Sequence, residues 1–176
     1  MLGWIKLGAG ILYDRRMRAR VLGYRPGIIS IVKSTSADSF LFVAPTEKPS
    51  AWMPPQEGIE ADESPEAAAV RCLNMELGIP EENTHFRKTV WLGCKKIPEQ
   101  QGQRDVDHSV MPMRGKAYYA GLIKVDESTT ITPNSAEIAE FAWLGIEQIR
   151  ERLTSNSERK QHLLRQSFQR LCGIHL

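Results

Sequence analysis

Two runs of β-branched and apolar residues, GIISIVKS at 27–34 and SFLFVAP at 39–45, flank a short polar stretch. Their alternation predicts a β-hairpin. In the following SAWMPPQEG, Pro54 and Pro55 lack the N–H a helix needs, so this stretch is expected to stay extended. The period then changes. In DESPEAAAVRCLNMELGI, Val70, Leu73 and Leu77 recur at helical spacing, with Ser64 as N-cap, Pro65 at the first helical position and Gly78 as the stop. HFRKTVWLG (85–93), KAYYAGLIKV (116–125) and EIAEFAWLG (137–145) return to strand character, with a long loop expected over 94–115. IEQIRERL and ERKQHLLRQSFQRL predict one or two terminal helices. These elements make a mixed α/β sheet whose best-capped helix lies mid-chain.

Composition narrows the class. With 176 residues, 41% hydrophobic and 25% charged, the chain suits one folded domain rather than a disordered segment. The three cysteines, Cys72, Cys94 and Cys172, have no CxxC spacing and cannot all pair, which favours a reducing compartment and no structural zinc. A net charge of +2 does not by itself point to nucleic acid. The first 25 residues differ: Lys6, Arg15, Arg16, Arg18, Arg20 and Arg25 face only Asp14. The apolar GWIKLGAGILY is too short and Gly-rich to span a membrane, and its arginines follow the apolar run, the reverse of a signal peptide. An extra strand or arm with a solvated basic face is the favoured reading, ahead of an RNA-binding arm.

The helix carries the candidate chemistry. Positions 72, 75 and 76 stand at i, i+3 and i+4 and are expected to share a face. Carboxylates placed this way gather hard cations such as magnesium. Here the residues are Cys72, Met75 and Glu76, and soft sulfur matches magnesium poorly. Cys72 reads otherwise as a small buried hydrophobe and Met75 as a core-filling thioether. Glu57, Glu60 and Asp62 read as a solvated acidic loop, and the four histidines as scattered surface or capping residues.

Residues 57–79 resemble a Nudix box, G-x5-E-x7-R-E-U-x-E-E-x-G-U with U aliphatic. Glu63, Arg71, Leu73, Glu76, Gly78 and Ile79 fall in register, whereas Glu57 takes the opening glycine and Cys72 and Met75 replace two glutamates. The flanking YRPGI, VWLGCKKIP and AEIAEFAWL are similar to the RNA pyrophosphohydrolase and dinucleoside polyphosphate hydrolase branch, a likeness spanning about residues 24–172. It implies an α/β/α sandwich around a mixed sheet, with a Nudix-like domain over 24–176 and a basic extension over 1–23. It implies that Glu76 is a catalytic carboxylate and metal ligand. Glu137 would be a second ligand or base, and Glu57 a replacement ligand. Glu63, Arg71 and Gly78 would hold the box together, and Arg25 and Lys116, with the ERK of 158–160, would contact phosphate.

Three functions compete. One is a Nudix-fold protein with impaired catalysis that binds a nucleotide, a dinucleoside polyphosphate or an RNA end, with magnesium bound weakly. The second is an active pyrophosphohydrolase with a shifted magnesium site, and the third an interaction module with a filled pocket. The expected setting is cytoplasmic, without a membrane, and the oligomeric state stays open.

Overall fold

β1 (Tyr24–Ser34) is the axis of the sheet, and its burial is that of a strand covered on both faces. In the computed structural model, which describes residues 15–96 and 114–176, β1 runs parallel to β5 (Gly115–Val125), in register from Tyr24 opposite Gly115 to Ser34 opposite Val125. β4 (His85–Lys96) lies antiparallel beyond β5. On its other side β1 has two partners. Its C-terminal end meets β2 (Phe40–Pro45), with Lys33 opposite Phe40, and residues 27–29 pair with the short β3 (Gln56–Gly58). β2 leaves β1 to pair with β6 (Ile138–Leu144), giving the path β4-β5-β1-β2-β6 with β3 beside β1.

The faces of β1 sort the core into two layers. Ile28 and Val32 face α2 (Pro65–Leu77), packing with Leu73, Leu77, Ile79, Tyr119 and Ile123. Ile29 and Ile31 face α3 (Ile146–Leu153) and α4 (Glu158–Cys172), among Phe40, Phe42, Ile149, Leu164 and Phe168. This is the expected α/β/α arrangement. Phe168 anchors the second layer, edge-on to Phe40 with ring centroids 4.9 Å apart.

α2 begins and ends as its residues predict. Ser64 accepts a hydrogen bond from the Ala67 N–H, and Gly78 closes the helix at φ 63° with its N–H on the Asn74 carbonyl. A Cβ at Gly78 would also meet Thr132 Oγ1 at 2.0 Å, so the fold requires glycine there twice over. The buried stripe differs from the one expected: Ala69, Cys72, Leu73, Glu76 and Leu77 face inward, and Val70 is only half-buried. The Val70 spacing fits a helical face, but the docking angle on β1 turns the buried face toward Cys72 and Glu76.

The PPQEG segment is extended as read, and its Gln56–Gly58 part forms β3. Two further expectations change. At the N-terminus, residues 15–21 form a helix, α1 (Arg15–Val21), and not a strand; arginine and alanine are strong helix formers, and Gly23 at φ 78° ends the segment. Its basic face is not wholly solvated, because Arg16 and Arg20 donate to the Glu63 and Ile59 carbonyls. β4 extends to Lys96, so the loop expected over 94–115 begins later; its 97–113 portion, with His108, lies outside the described residues, as do residues 1–14.

The aromatic anchor gives a direct test. Phe168→Ala is expected to cost about 3–5 kcal/mol, because it empties a fully buried site against Phe40 and Phe42. Urea denaturation should show a lowered midpoint with an unchanged slope.

Candidate functional site

A charged fork shapes the loop that leads into α2. Arg71 Nε donates to Glu63 Oε1 at 2.8 Å, and Nη2 donates to Glu63 Oε2 at 2.9 Å and to the Gly58 carbonyl at 2.8 Å. The same guanidinium lies 3.6 Å from Glu57. These contacts hold the Glu63 carboxyl below, and the Arg71 guanidinium above, their ordinary ranges, with the mutual hydrogen bond as the largest cause. Glu57 is therefore no solvated loop residue. It sits on β3 opposite Ile28, with its side chain turned to the α2 face and 28% exposed. Glu60 and Asp62 are exposed, as expected.

The three helix positions do not share a face. Cys72 is fully buried and Glu76 only 9% exposed, whereas Met75 is 62% exposed. Met75 thus fills no core, and its thioether stands in solvent. Cys72 and Glu76 lie one turn apart on the buried face, and a rotation of about 100° per residue carries Met75 off their axis. Burial is the first cause raising the Cys72 thiol well above its usual range, with the neighbouring Glu76 and Glu57 charges adding to it. The thiol is neutral at neutral pH. Glu76 is pushed up to about 7, first by burial and then by Glu57 and Glu137, against a lowering hydrogen bond from Cys72. Glu137 reaches this neighbourhood from the turn just before β6, one residue short of the strand in which it was expected. The 129–137 segment is pinned there by Thr132 N–H on the Leu77 carbonyl and Asn134 N–H on the Glu76 carbonyl.

Arg25 and Lys116 occupy the other face. They pair across β1 and β5, on the side of Ile29 and Ala120 rather than of Ile28 and Tyr119. A cleft of about 230 Å³ opens between them, lined by Arg25, Lys116, Tyr118, Gln56, Glu57 and Gly58. Gly58 leaves room for the Arg25 guanidinium, which a Cβ there would meet at 3.3 Å. Glu57 is the link between the faces: it lines the cleft, and its charge raises Glu76.

A family model described as the NUDIX domain matches residues 23–166. The chain belongs to the Nudix family. An RNA pyrophosphohydrolase of Cereibacter sphaeroides is 28% identical over 138 residues, covering 77% of this chain and 85% of that protein. Among solved structures, a C. elegans Ap4A hydrolase superposes with a TM-score of 0.58 at 18% identity, covering 84% of this chain and 99% of that one. An E. coli dihydroneopterin triphosphate pyrophosphohydrolase gives 0.60 at 15% identity, over 84% and 96%. At these identities the structural likeness is one of fold. Nudix hydrolases generally use divalent metal ions, so the donor set of this Nudix helix matters. It does not fit a magnesium cage built from helix carboxylates. Cys72 is sealed and neutral, Met75 points outward, and among the described residues no three acidic, histidine or cysteine side chains converge as metal ligands.

The raised Glu76 carboxyl predicts a pH dependence. An acid whose folded value, about 7, exceeds its ordinary 4.5 favours folding in its protonated form. Its contribution is full below 4.5, falls as pH rises to 7, and is lost above. In EDTA, Glu76→Gln should remove that decline and gain up to about 3 kcal/mol over the parent at pH 8, with little difference at pH 4.5. Chemical denaturation at the two pH values measures it.

Proposed function

We propose that this Nudix protein, with residues 24–176 as its domain and 1–23 as a basic extension, binds a phosphate-bearing nucleotide ligand and hydrolyses it poorly. The ligand class is a nucleoside diphosphate-linked compound, such as a dinucleoside polyphosphate, or an RNA 5′ end. One observation carries the reading: the cleft with Arg25 and Lys116 is open, while the helix turn that should supply carboxylates has one sulfur sealed and the other in solvent. The relatives support the ligand class, since one is an RNA pyrophosphohydrolase and another an Ap4A hydrolase. Three free cysteines support a reducing, cytoplasmic setting. No helix among the described residues is long and apolar enough to cross a membrane.

This chain's residues then have distinct tasks. Arg25 and Lys116 neutralise phosphate oxygens, and Tyr118 offers a half-buried ring beside them. Glu57, which lines the cleft beneath its α2-facing carboxyl, would repel the same phosphates, which orients the anionic part of the ligand toward Arg25. An open cleft argues against the filled-pocket reading. The shifted-site reading, an active enzyme using Glu76, Glu57 and Glu137 with weakly held magnesium, draws on the electrostatic coupling of these three carboxyls.

Restoring carboxylates separates these readings. Because position 75 faces solvent, Met75→Glu alone should gain nothing, and Cys72→Glu should carry the effect of the double variant. Magnesium-dependent release of phosphate or nucleotide from a dinucleoside tetraphosphate should rise about 10²-fold over the parent in Cys72→Glu, Met75→Glu, the scale on which one well-placed electrostatic group acts. Glu76→Gln in that background should abolish the gain. Turnover by the parent at about 1 s⁻¹ or faster would instead establish the shifted site.

A further inference from the structure

Few groups hold α1 to the domain. Among its described side chains only Ala19 is buried, and Val21 at its end stands in solvent. Apolar contact therefore contributes little, and the grip falls to two guanidinium groups. Arg16 donates to the Glu63 carbonyl and Arg20 to the Ile59 carbonyl, both in the loop between β3 and α2. Arg20 Nε is buried as well, so this guanidinium is turned into the loop and away from an anion arriving through solvent. α1 also lies ahead of the matched Nudix domain.

These bonds close a ring around Arg25. From Arg20 the chain passes Gly23, at φ 78°, and enters β1, where Arg25 and Pro26 follow Tyr24. Ile59 N–H donates to the Pro26 carbonyl at 3.0 Å, and the Ile59 carbonyl accepts from Arg20, which returns the path to its start. Gly58, the residue before Ile59, lies against the Arg25 guanidinium, where a Cβ would meet Nη2 at 3.3 Å. The second cation is tied to the same turn: Arg114 N–H donates to the Gly23 carbonyl at 2.7 Å, just ahead of Lys116 on β5. An exposed arginine has a long, rotatable stem, so the backbone and the bare glycine surface beside it define where its charge stands. The Glu63–Arg71 fork ties the box loop to α2, and Arg16 and Arg20 add its link to the chain entering β1.

We propose that Arg16 and Arg20 are positioning residues for the phosphate cleft: by holding the Glu63 and Ile59 carbonyls they fix Gly58 against the start of β1 and so set where the Arg25 charge stands. The inference rests on the proposed phosphate-binding role of the cleft, and gives the basic extension a task there that needs no contact with ligand. Both arginines act through Arg25, so their effect on affinity should vanish once Arg25 is gone.

Calorimetry and amide hydrogen exchange on the full chain, stripped with EDTA, test it. Arg16→Ala, Arg20→Ala should weaken binding of a non-hydrolysable dinucleoside tetraphosphate about tenfold, the scale of one charge-assisted hydrogen bond. In the Arg25→Ala background the same pair should change affinity less than about twofold. Arg16→Lys, Arg20→Lys, which keeps a donor for each carbonyl, should stay within about threefold of the parent. Exchange should quicken about tenfold or more at Ile59 in the alanine pair and stay unchanged at Leu73 in α2, the mark of a loop released locally. An equal loss of affinity with and without Arg25 would overturn the proposal, because the arginines would then touch ligand or serve the whole fold. So would unchanged exchange at Ile59, exchange that quickens at Leu73 as well, or a released loop with undiminished affinity. Parent affinity indifferent to Arg25→Ala, or no binding by the parent, would instead fail the cleft reading, while quicker exchange at Ile59 alone would still uphold the hold on the loop.

Discussion

The Glu63–Arg71 fork is the interaction on which the geometry of this protein depends. Two parallel N–H···O bonds fix the guanidinium plane, and a third, to the Gly58 carbonyl, ties α2 to β3. Charge assistance makes such a pair stiff as well as favourable, and that stiffness sets the positions of its neighbours. Glu57 is drawn to the guanidinium on one side of β3, and Gly58 presents its bare Cα to Arg25 on the other. α1 then docks on the same loop through the Glu63 and Ile59 carbonyls.

β3 consequently divides two electrostatic environments only one strand apart. On the α2 side, carboxyls crowd a buried thiol, and Glu76 gives up its charge near neutrality. On the α4 side, cations gather around an open cleft with no carboxylate partner among the described residues. On the reading proposed above, the cations serve phosphate, while the α2 side lacks the carboxylates that a metal site on the helix would use. Replacing glutamate by cysteine at 72 lowers the electrostatic cost of that buried turn, because a neutral thiol beside Glu76 repels it less than a second carboxylate would.

Much of the fold could be read from local pattern. Ser64 and Gly78 mark the ends of α2 because capping chemistry is local, and the register of the box was enough to pair Glu63 with Arg71. Other features depended on distant partners. Gln56–Gly58 is short and polar, and becomes a strand only because β2 peels away from β1 and leaves an edge to fill. Met75 turns outward because the docking of α2 on β1, not the spacing of its side chains, decides which arc is buried. Arg25 and Lys116 are 91 positions apart in sequence, and only the parallel register of β1 and β5 makes them neighbours.

In the proposed function, phosphate recognition is separate from metal binding. Titration calorimetry of a non-hydrolysable dinucleoside tetraphosphate into protein stripped with EDTA, repeated with millimolar magnesium, tests it most directly. The account predicts binding in the stripped protein, weakened by Arg25→Ala, with affinity changed less than about threefold by magnesium, since a ligand that needs no resident metal shows no linkage to it. Binding that appears only once magnesium is added would contradict it, placing the metal, and not Arg25 and Lys116, at the centre of recognition.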